Sequence, residues 1–266
     1  MKTIEVRTDG DVVTVALNRP ENHNAFNPQM VAELTAFFSG VTADTPVRVI
    51  VLTGKGRSFC AGADLAFMRA AADFTYAENV ADGQAIFDLM QAVDSCPRPV
   101  IGRINGAAIG GGAGLVSCCD NVVAVGRAKF GFSEARLGIV PAVISPFVVS
   151  KIGASHARAL FLSGERFDAA YARHIGLVHH LAADETELDA LVAQRVQEYL
   201  QAAPGAQAAA KILIEQVAGQ SKATLRAYTT ELIAQRRAST EGREGMSAFL
   251  EKRSPFWQPQ HAANDD

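Results

Sequence analysis

Three consecutive glycines, Gly110 to Gly112, stand between a strand-like run and a short apolar stretch in INGAAIGGGAGLVSCCD, residues 104–120. Glycine loses more backbone freedom on folding than any other residue, so a triple glycine is a poor choice for packing alone. It suits a place where the backbone must be approached closely, and the better reading here is approach by a ligand. A helix opened by glycines offers unpaired N–H groups and the positive end of its dipole. Two familiar phosphate-binding turns are excluded by spacing. Counting from Gly110, the third glycine position of G-x-G-x-x-G falls on Leu115, and no G-K-[ST] follows for a P-loop.

A second turn of the same kind is SFCAGADL, Ser58 to Leu65, directly after the apolar run VRVIVLTG. Small residues between a buried strand and a helical stretch again leave helix-start N–H groups free for a developing oxyanion. The plain alternative is that Ala61, Gly62 and Ala63 only make a tight turn. Two such turns in one chain favour a two-donor oxyanion hole, a device worth several kcal/mol in a transition state. The third segment is KFGFSEARLGIVP, Lys129 to Pro141, where Glu134 sits among small and apolar neighbours. That setting raises a carboxyl pKa and suits proton transfer, although an arbitrary Glu is more often a solvated surface residue.

Around these turns the pattern alternates. β-Branched runs at 12–17, 47–52, 99–104, 121–125 and 129–132 predict strands, and helical spacing at 28–38, 81–93 and 110–119 predicts helices between them. From Ser145 onward the pattern is nearly all helical, with apolar residues at three- and four-residue spacing over 185–200, 206–218 and 222–237. The expected organisation is an α/β core over residues 1–195 and a helical region over 196–266. No fixed-period repeat stands out, so any repetition is structural. The closing SPFWQPQHAANDD reads as a tail that frays or docks on a neighbouring subunit through Phe256 and Trp257.

Charge excludes several partners. With 25 basic and 28 acidic residues, a net charge of −3 and no single-sign run, the chain lacks the field expected of a nucleic-acid or membrane-surface protein. A small molecule is the expected partner. The N-terminus alternates apolar and polar, unlike a signal peptide, and no window approaches 18 charge-free apolar residues. Cys60, Cys96, Cys118 and Cys119 read as reduced thiols, because an adjacent pair makes a strained disulfide; the expected compartment is the cytoplasm. His174, His179 and His180 near a helix end have no Cys or carboxylate cluster to complete a metal site, and no metal is expected. Ser58 and Ser133 have no recognisable partner His for nucleophilic catalysis.

Taken in order, NRPENHNAFN (18–27), SFCAGADL, NGAAIGGGAGL, FGFSEARLGIVP and AFLEKR (248–253) resemble the crotonase (enoyl-CoA hydratase/isomerase) superfamily over nearly the whole chain. The resemblance implies an α/β crotonase-like spiral of ββα units followed by a C-terminal helical trimerisation region, assembled as a homotrimer or a dimer of trimers. It implies an acyl-CoA substrate whose thioester oxygen is held by the N–H groups of Ala63 and Gly111, with coenzyme A part of the substrate and no further cofactor. It also implies backbone contacts to the adenine around Asn24, Ala25, Ala61 and Ala63, with Phe249 and Lys252 reaching the bound CoA. A Lys common after the first turn is Ala66 here, which shifts weight for the phosphates to Lys252 and Arg253.

One departure governs the chemistry. Family hydratases place two glutamates about the substrate; the second falls on Glu134, but the first falls on Gly114. Three readings follow: a one-carboxylate hydratase or dehydratase, a double-bond isomerase in which Glu134 alone shuttles a proton, or an acid supplied from elsewhere, with Asp73, Glu78 and Asp82 as candidates. A catalytically silent CoA-thioester-binding protein is the reading from another class. The run GGGAGL, SCCD and FSEARLGIVPAVISPFVV is similar to bacterial methylglutaconyl-CoA and isohexenylglutaconyl-CoA hydratases. That narrower likeness implies a branched 2-enoyl-CoA bearing a second carboxylate, with Arg136 as its candidate partner and a surface salt bridge as the plainer role.

Overall fold

The computed structural model describes residues 1–258. The last eight residues of the closing tail, 259–266, lie outside the described residues. The chain divides into two compact units, Met1–Arg195 and Val196–Asp266.

In the first unit, strands β1 (Ile4–Asp9) and β2 (Val12–Leu17) form an antiparallel hairpin, and α1 (Pro28–Ser39) follows, capped by the Asn27 side chain on the Met30 N–H. Strand β3 (Val49–Gly54) is buried at all six positions, as a parallel strand covered on both faces must be. Next come β4 (Ser58–Cys60), α2 (Leu65–Ala71), α3 (Tyr76–Asp94), β5 (Val100–Ile104), β6 (Ala107–Ile109), α4 (Gly111–Cys118), β7 (Asn121–Val125) and β8 (Lys129–Gly131). After α5 (Ser145–Ser163), which is kinked at Gly153, come β9 (Arg166–Asp168), α6 (Ala169–His174), β10 (His180–Ala182) and α7 (Glu185–Leu200).

From β3 to β8 consecutive strands alternate between two sheets. One sheet has the order β1-β2-β3-β5-β7-β10, the other β4-β6-β8-β9. Thus β3 and β4, β5 and β6, and β7 and β8 are three successive pairs, each placing one strand in each sheet. The repetition is one of geometry, with no sequence repeat to announce it. Val49, Ile50, Leu52, Val100, Ile101, Val122 and Val123 are fully buried in the first sheet, and Phe59, Ala108 and Phe130 in the second.

Strands β9 and β10 depart from the all-helical expectation after Ser145. Each has three residues, too short for a period-2 pattern, and each exists because an edge awaits it: β9 pairs antiparallel with β8, and β10 parallel with β7. The histidine run also differs from expectation. His174 does lie in the last turn of α6, but the Nδ1 of His179 accepts a hydrogen bond from the Val122 N–H at 2.9 Å, and His180 is in β10.

The second unit contains α8 (Pro204–Val217), α9 (Lys222–Ala238) and α10 (Thr240–Glu251). Ser221 and Ser239 cap the latter two, and Glu241 accepts from the Gly205 N–H at 2.8 Å while pairing with Arg236. The Trp257 indole N–H donates to the Gln201 carbonyl at 3.1 Å.

Candidate active site

The second sheet assembles the site. β4, β6 and β8 run parallel, with Cys60 beside Ala108 and Ile109 beside Gly131. Segments leaving the carboxyl ends of neighbouring parallel strands emerge side by side, where open α/β sheets bind ligands. Ala63 and Gly111 each follow by three residues a member of the Cys60–Ala108 pair, and Glu134 follows Gly131 by three. Register alone therefore brings these three residues to one end of one sheet.

The glycines let the turns touch. Gly62 has φ +95° and packs so that a Cβ would come within 3.0 Å of the Ile109 carbonyl oxygen; at Gly112 a Cβ would meet the Cys60 carbonyl oxygen at 2.4 Å. Any side chain at either position would push the two turns apart. Gly110, the residue before α4, has φ +53° and ψ −122°, a conformation open to glycine and strained for any residue with a side chain. At Gly111 the Phe26 ring lies where a Cβ would be, 2.8 Å from its Cε2 atom.

Backbone pairing orients the donors. Ala63 forms a parallel bridge with Phe26 in which the Phe26 N–H donates to the Gly62 carbonyl at 2.7 Å and the Asp64 N–H donates to the Phe26 carbonyl at 2.9 Å. The groups flanking Ala63 are used, so its own N–H points the other way. Gly111 is the first residue of α4, one of the helix-start positions that have no acceptor one turn back. Ala63 is exposed and Gly111 half-exposed, so both donors face accessible space.

Arg19 and Asp64 fix the first turn, and the sequence reading gave them no role. The Arg19 guanidinium donates to the Ala25 carbonyl at 2.7 Å and pairs with the Asp64 carboxylate at 2.8 Å. Asp64 also caps α2, accepting from the Ala66 and Phe67 N–H groups. The hydrogen bond from Arg19 is the main reason its carboxyl is held below the usual range. The available signal was the ADL sequence, an N-cap residue directly before a helix.

Glu134 opens a short 3₁₀ turn, Glu134–Leu137, after β8. Its Oε1 lies against Gly110, 3.0 Å from where a Cβ would be, and its Oε2 is buried without a protein partner among the described residues. Burial pushes its carboxyl above the ordinary carboxylate range. A carboxyl of raised pKa thus sits against Gly110 at the start of α4, on the sheet end that also carries the Ala63 turn, an arrangement able to move a proton next to a stabilised anionic oxygen.

The other predicted positions separate. Asn24 is fully buried and its side chain is consumed internally, accepting from Arg19 N–H and donating to the Lys55 and Ser58 carbonyls, all at 2.9 Å. It holds the 18–27 loop in shape, as does Ala25 through the Arg19 bond. Ala61 is exposed, its N–H donating to the His23 carbonyl at 3.0 Å. Phe249 and Lys252 belong to the second unit, at the exposed end of α10, where Lys252 has φ +56°. Arg253 beside them is engaged by Glu244 and Glu251.

Among the candidate acids, Glu78 is committed to a capping box with Thr75 and Asp73 is exposed. Asp82 is half-buried on α3, and desolvation raises its pKa. Arg136 lies over the end of α5, its Nε donating to the Ser163 carbonyl at 3.2 Å. Among the described residues no group of three or more His, Cys, Asp or Glu side chains is placed to hold a metal ion, and no helix is long and apolar enough to cross a membrane.

Comparison with known proteins places this geometry. The family model described as enoyl-CoA hydratase/isomerase matches residues 7–260. The 2,3-dehydroadipyl-CoA hydratase of Escherichia coli is 33% identical over 256 residues, 96% of this chain and 98% of that one. The 1,2-epoxyphenylacetyl-CoA isomerase of the same organism is 32% identical over 263 residues, again 96% and 98%. Among solved structures, an enoyl-CoA hydratase from Shewanella pealeana superposes with a TM-score of 0.92 at 36% identity, covering 96% of each chain.

Proposed function

Because the chain belongs to the enoyl-CoA hydratase/isomerase family of enzymes, we propose that it adds water to, or removes it from, a 2-enoyl-CoA with Glu134 as its only carboxylate proton carrier. The observation that carries this reading is the Glu134 carboxyl, raised by burial and set against Gly110 at the start of α4. The N–H groups of Ala63 and Gly111 hold the thioester oxygen. Water attacks Cβ and gives its proton to Glu134; the C=C electron pair moves onto the thioester oxygen as an enolate. Glu134 then returns a proton to Cα, so one water is added and the carboxylate is regenerated.

The acyl group we propose is branched and carries a second carboxylate, as in 3-methylglutaconyl-CoA; the support is the likeness of the 110–120 and 132–149 segments to hydratases of that class. Coenzyme A enters as part of the substrate, with no separate cofactor. Asn24 and Ala25, buried, act on the adenine site by shaping the loop that leads to the exposed Ala61, which faces the adenine, and Phe249 and Lys252 are contacts to coenzyme A by the family resemblance. Assembly is as a homotrimer or a pair of trimers. A reducing, cytoplasmic setting fits four buried cysteines that form no disulfide.

A second reading, double-bond isomerisation, is favoured by the glycine at 114 and is compatible with a family that includes isomerases. Glu134 would take the α-proton of a 3-enoyl-CoA and return it to Cγ. Incubation with 3-methylglutaconyl-CoA, crotonyl-CoA and a 3-enoyl-CoA in deuterated water, followed by product mass and enoyl absorbance, separates the two. Water addition to the branched substrate is the expected result; double-bond migration without it makes the enzyme an isomerase.

A further inference from the structure

Gly114 is buried, one turn along α4 from the site, its N–H donating to the Gly110 carbonyl at 3.0 Å. A Cβ there would meet Ile144 Cγ2 at 2.5 Å, Ile144 Cβ at 3.0 Å and Met90 Cε at 3.3 Å. The methionine contact is the end of a flexible chain and can yield. The isoleucine contact cannot yield so easily, because its Cβ is one bond from the backbone, its χ1 is stiff and it is only 2% exposed. Ile144 is thus seated where the first atoms of any side chain at 114 would be.

The residues around it in sequence, Val143 and Phe147, pack toward α3. Ile144 immediately precedes α5 (Ser145–Ser163), which packs on α4, and Phe147 in the next turn lies 5.5 Å from the Phe87 ring of α3. Gly83 of α3 faces the neighbouring Val143. The Cβ direction of Gly114 on α4 is therefore closed by Ile144 and Met90, while Glu134 stands at Gly110.

We infer that Ile144 is a reaction-determining positioning residue: its side chain excludes a second carboxylate, and the water that one would hold, from the α4 turn beside the oxyanion donors. This rests on the reading of Glu134 given above and adds to it a cause. The enzyme works with one carboxylate because Ile144 occupies the place of another, and Gly114 is required by Ile144.

The test pairs a substrate-free measurement with a kinetic one. Gly114→Ala and Ile144→Ala are each expected to lower the melting temperature, the first by overlap and the second by a cavity, and the double variant is expected to be more stable than the sum of the two losses predicts. Gly114→Glu combined with Ile144→Ala is then expected to show a second ionisation in its pH–rate profile and a hydration rate on crotonyl-CoA raised at least ~10-fold relative to Ile144→Ala alone. Strictly additive melting shifts overturn the inference, as does a double variant that fails to fold when both single variants fold. So does a Gly114→Glu single variant that folds normally and gains the second ionisation with Ile144 in place. Failure of the underlying reading looks different: the melting shifts still couple, but Glu134→Gln keeps full turnover.

Discussion

In the proposed mechanism Glu134 carries the proton, and its burial makes two separable predictions. Glu134→Gln keeps the shape and removes the proton carrier, so acyl-CoA binding should survive in a titration while turnover falls by ~10²–10⁴-fold. Full activity in that variant would remove Glu134 from the mechanism. The second prediction concerns stability. A carboxyl whose folded pKa lies above its unfolded value stays protonated in the folded state where the unfolded chain has already ionised. Its contribution therefore falls as pH rises from the unfolded value of ~4.3 through the folded one and levels off beyond it. Glu134→Gln should melt higher than the parent at pH 7, with the difference closing toward pH 4. At this scale the sequence was legible where a residue type has a narrow use: the triple glycine and a lone carboxylate among small residues. Arg19 and Asp64 were not, because their joint role depends on a contact across 45 positions of sequence.

Among elements, the parallel register of β4, β6 and β8 converts three separate motifs into one site. Gly110→Ala tests how tightly the glycine geometry is set. The new Cβ would lie 3.0 Å from the Glu134 carboxylate at a φ of +53°, so the variant should lose ~1–2 kcal/mol of stability, read by denaturant unfolding, and lose turnover more than binding. Unchanged kinetics would mean that the carboxylate tolerates displacement. The long helices and buried strands were visible as periodicity, but the three-residue strands β9 and β10 were not, since pairing partners rather than pattern define them. β10 carries its own pH signature through the preceding His179, whose pKa is lowered to about 4, chiefly by burial, while it accepts the Val122 N–H. Between about 6.5 and 4 the unfolded chain binds a proton that the folded chain resists, so stability falls as pH drops through that window. His179→Asn, which retains an acceptor, should flatten that part of the melting-temperature profile; an unchanged slope would assign the acid sensitivity elsewhere.

At the scale of the whole molecule, the helical unit is apolar where nothing in its own helices covers it. Helices α8 and α9 contain no fully buried residue, and Ile212, Ile214 and Ile233 are 56%, 66% and 48% exposed. Phe249 and Leu250 at the end of α10 are 83% and 79% exposed. Large apolar side chains left in water over one small unit mark an association surface more often than a solvated one. Closed point-group symmetry lets identical chains cover such a surface without open-ended growth. Light scattering at micromolar concentration should therefore give three times, or six times, the 28.2 kDa chain mass. If association covers these residues, Leu250→Asp together with Ile214→Asp should lower the assembled mass and make the melting temperature depend on protein concentration, because subunit binding then contributes to stability by mass action. A monomeric parent chain would leave the apolar helices unexplained and remove the neighbouring subunit as a source of contacts to coenzyme A.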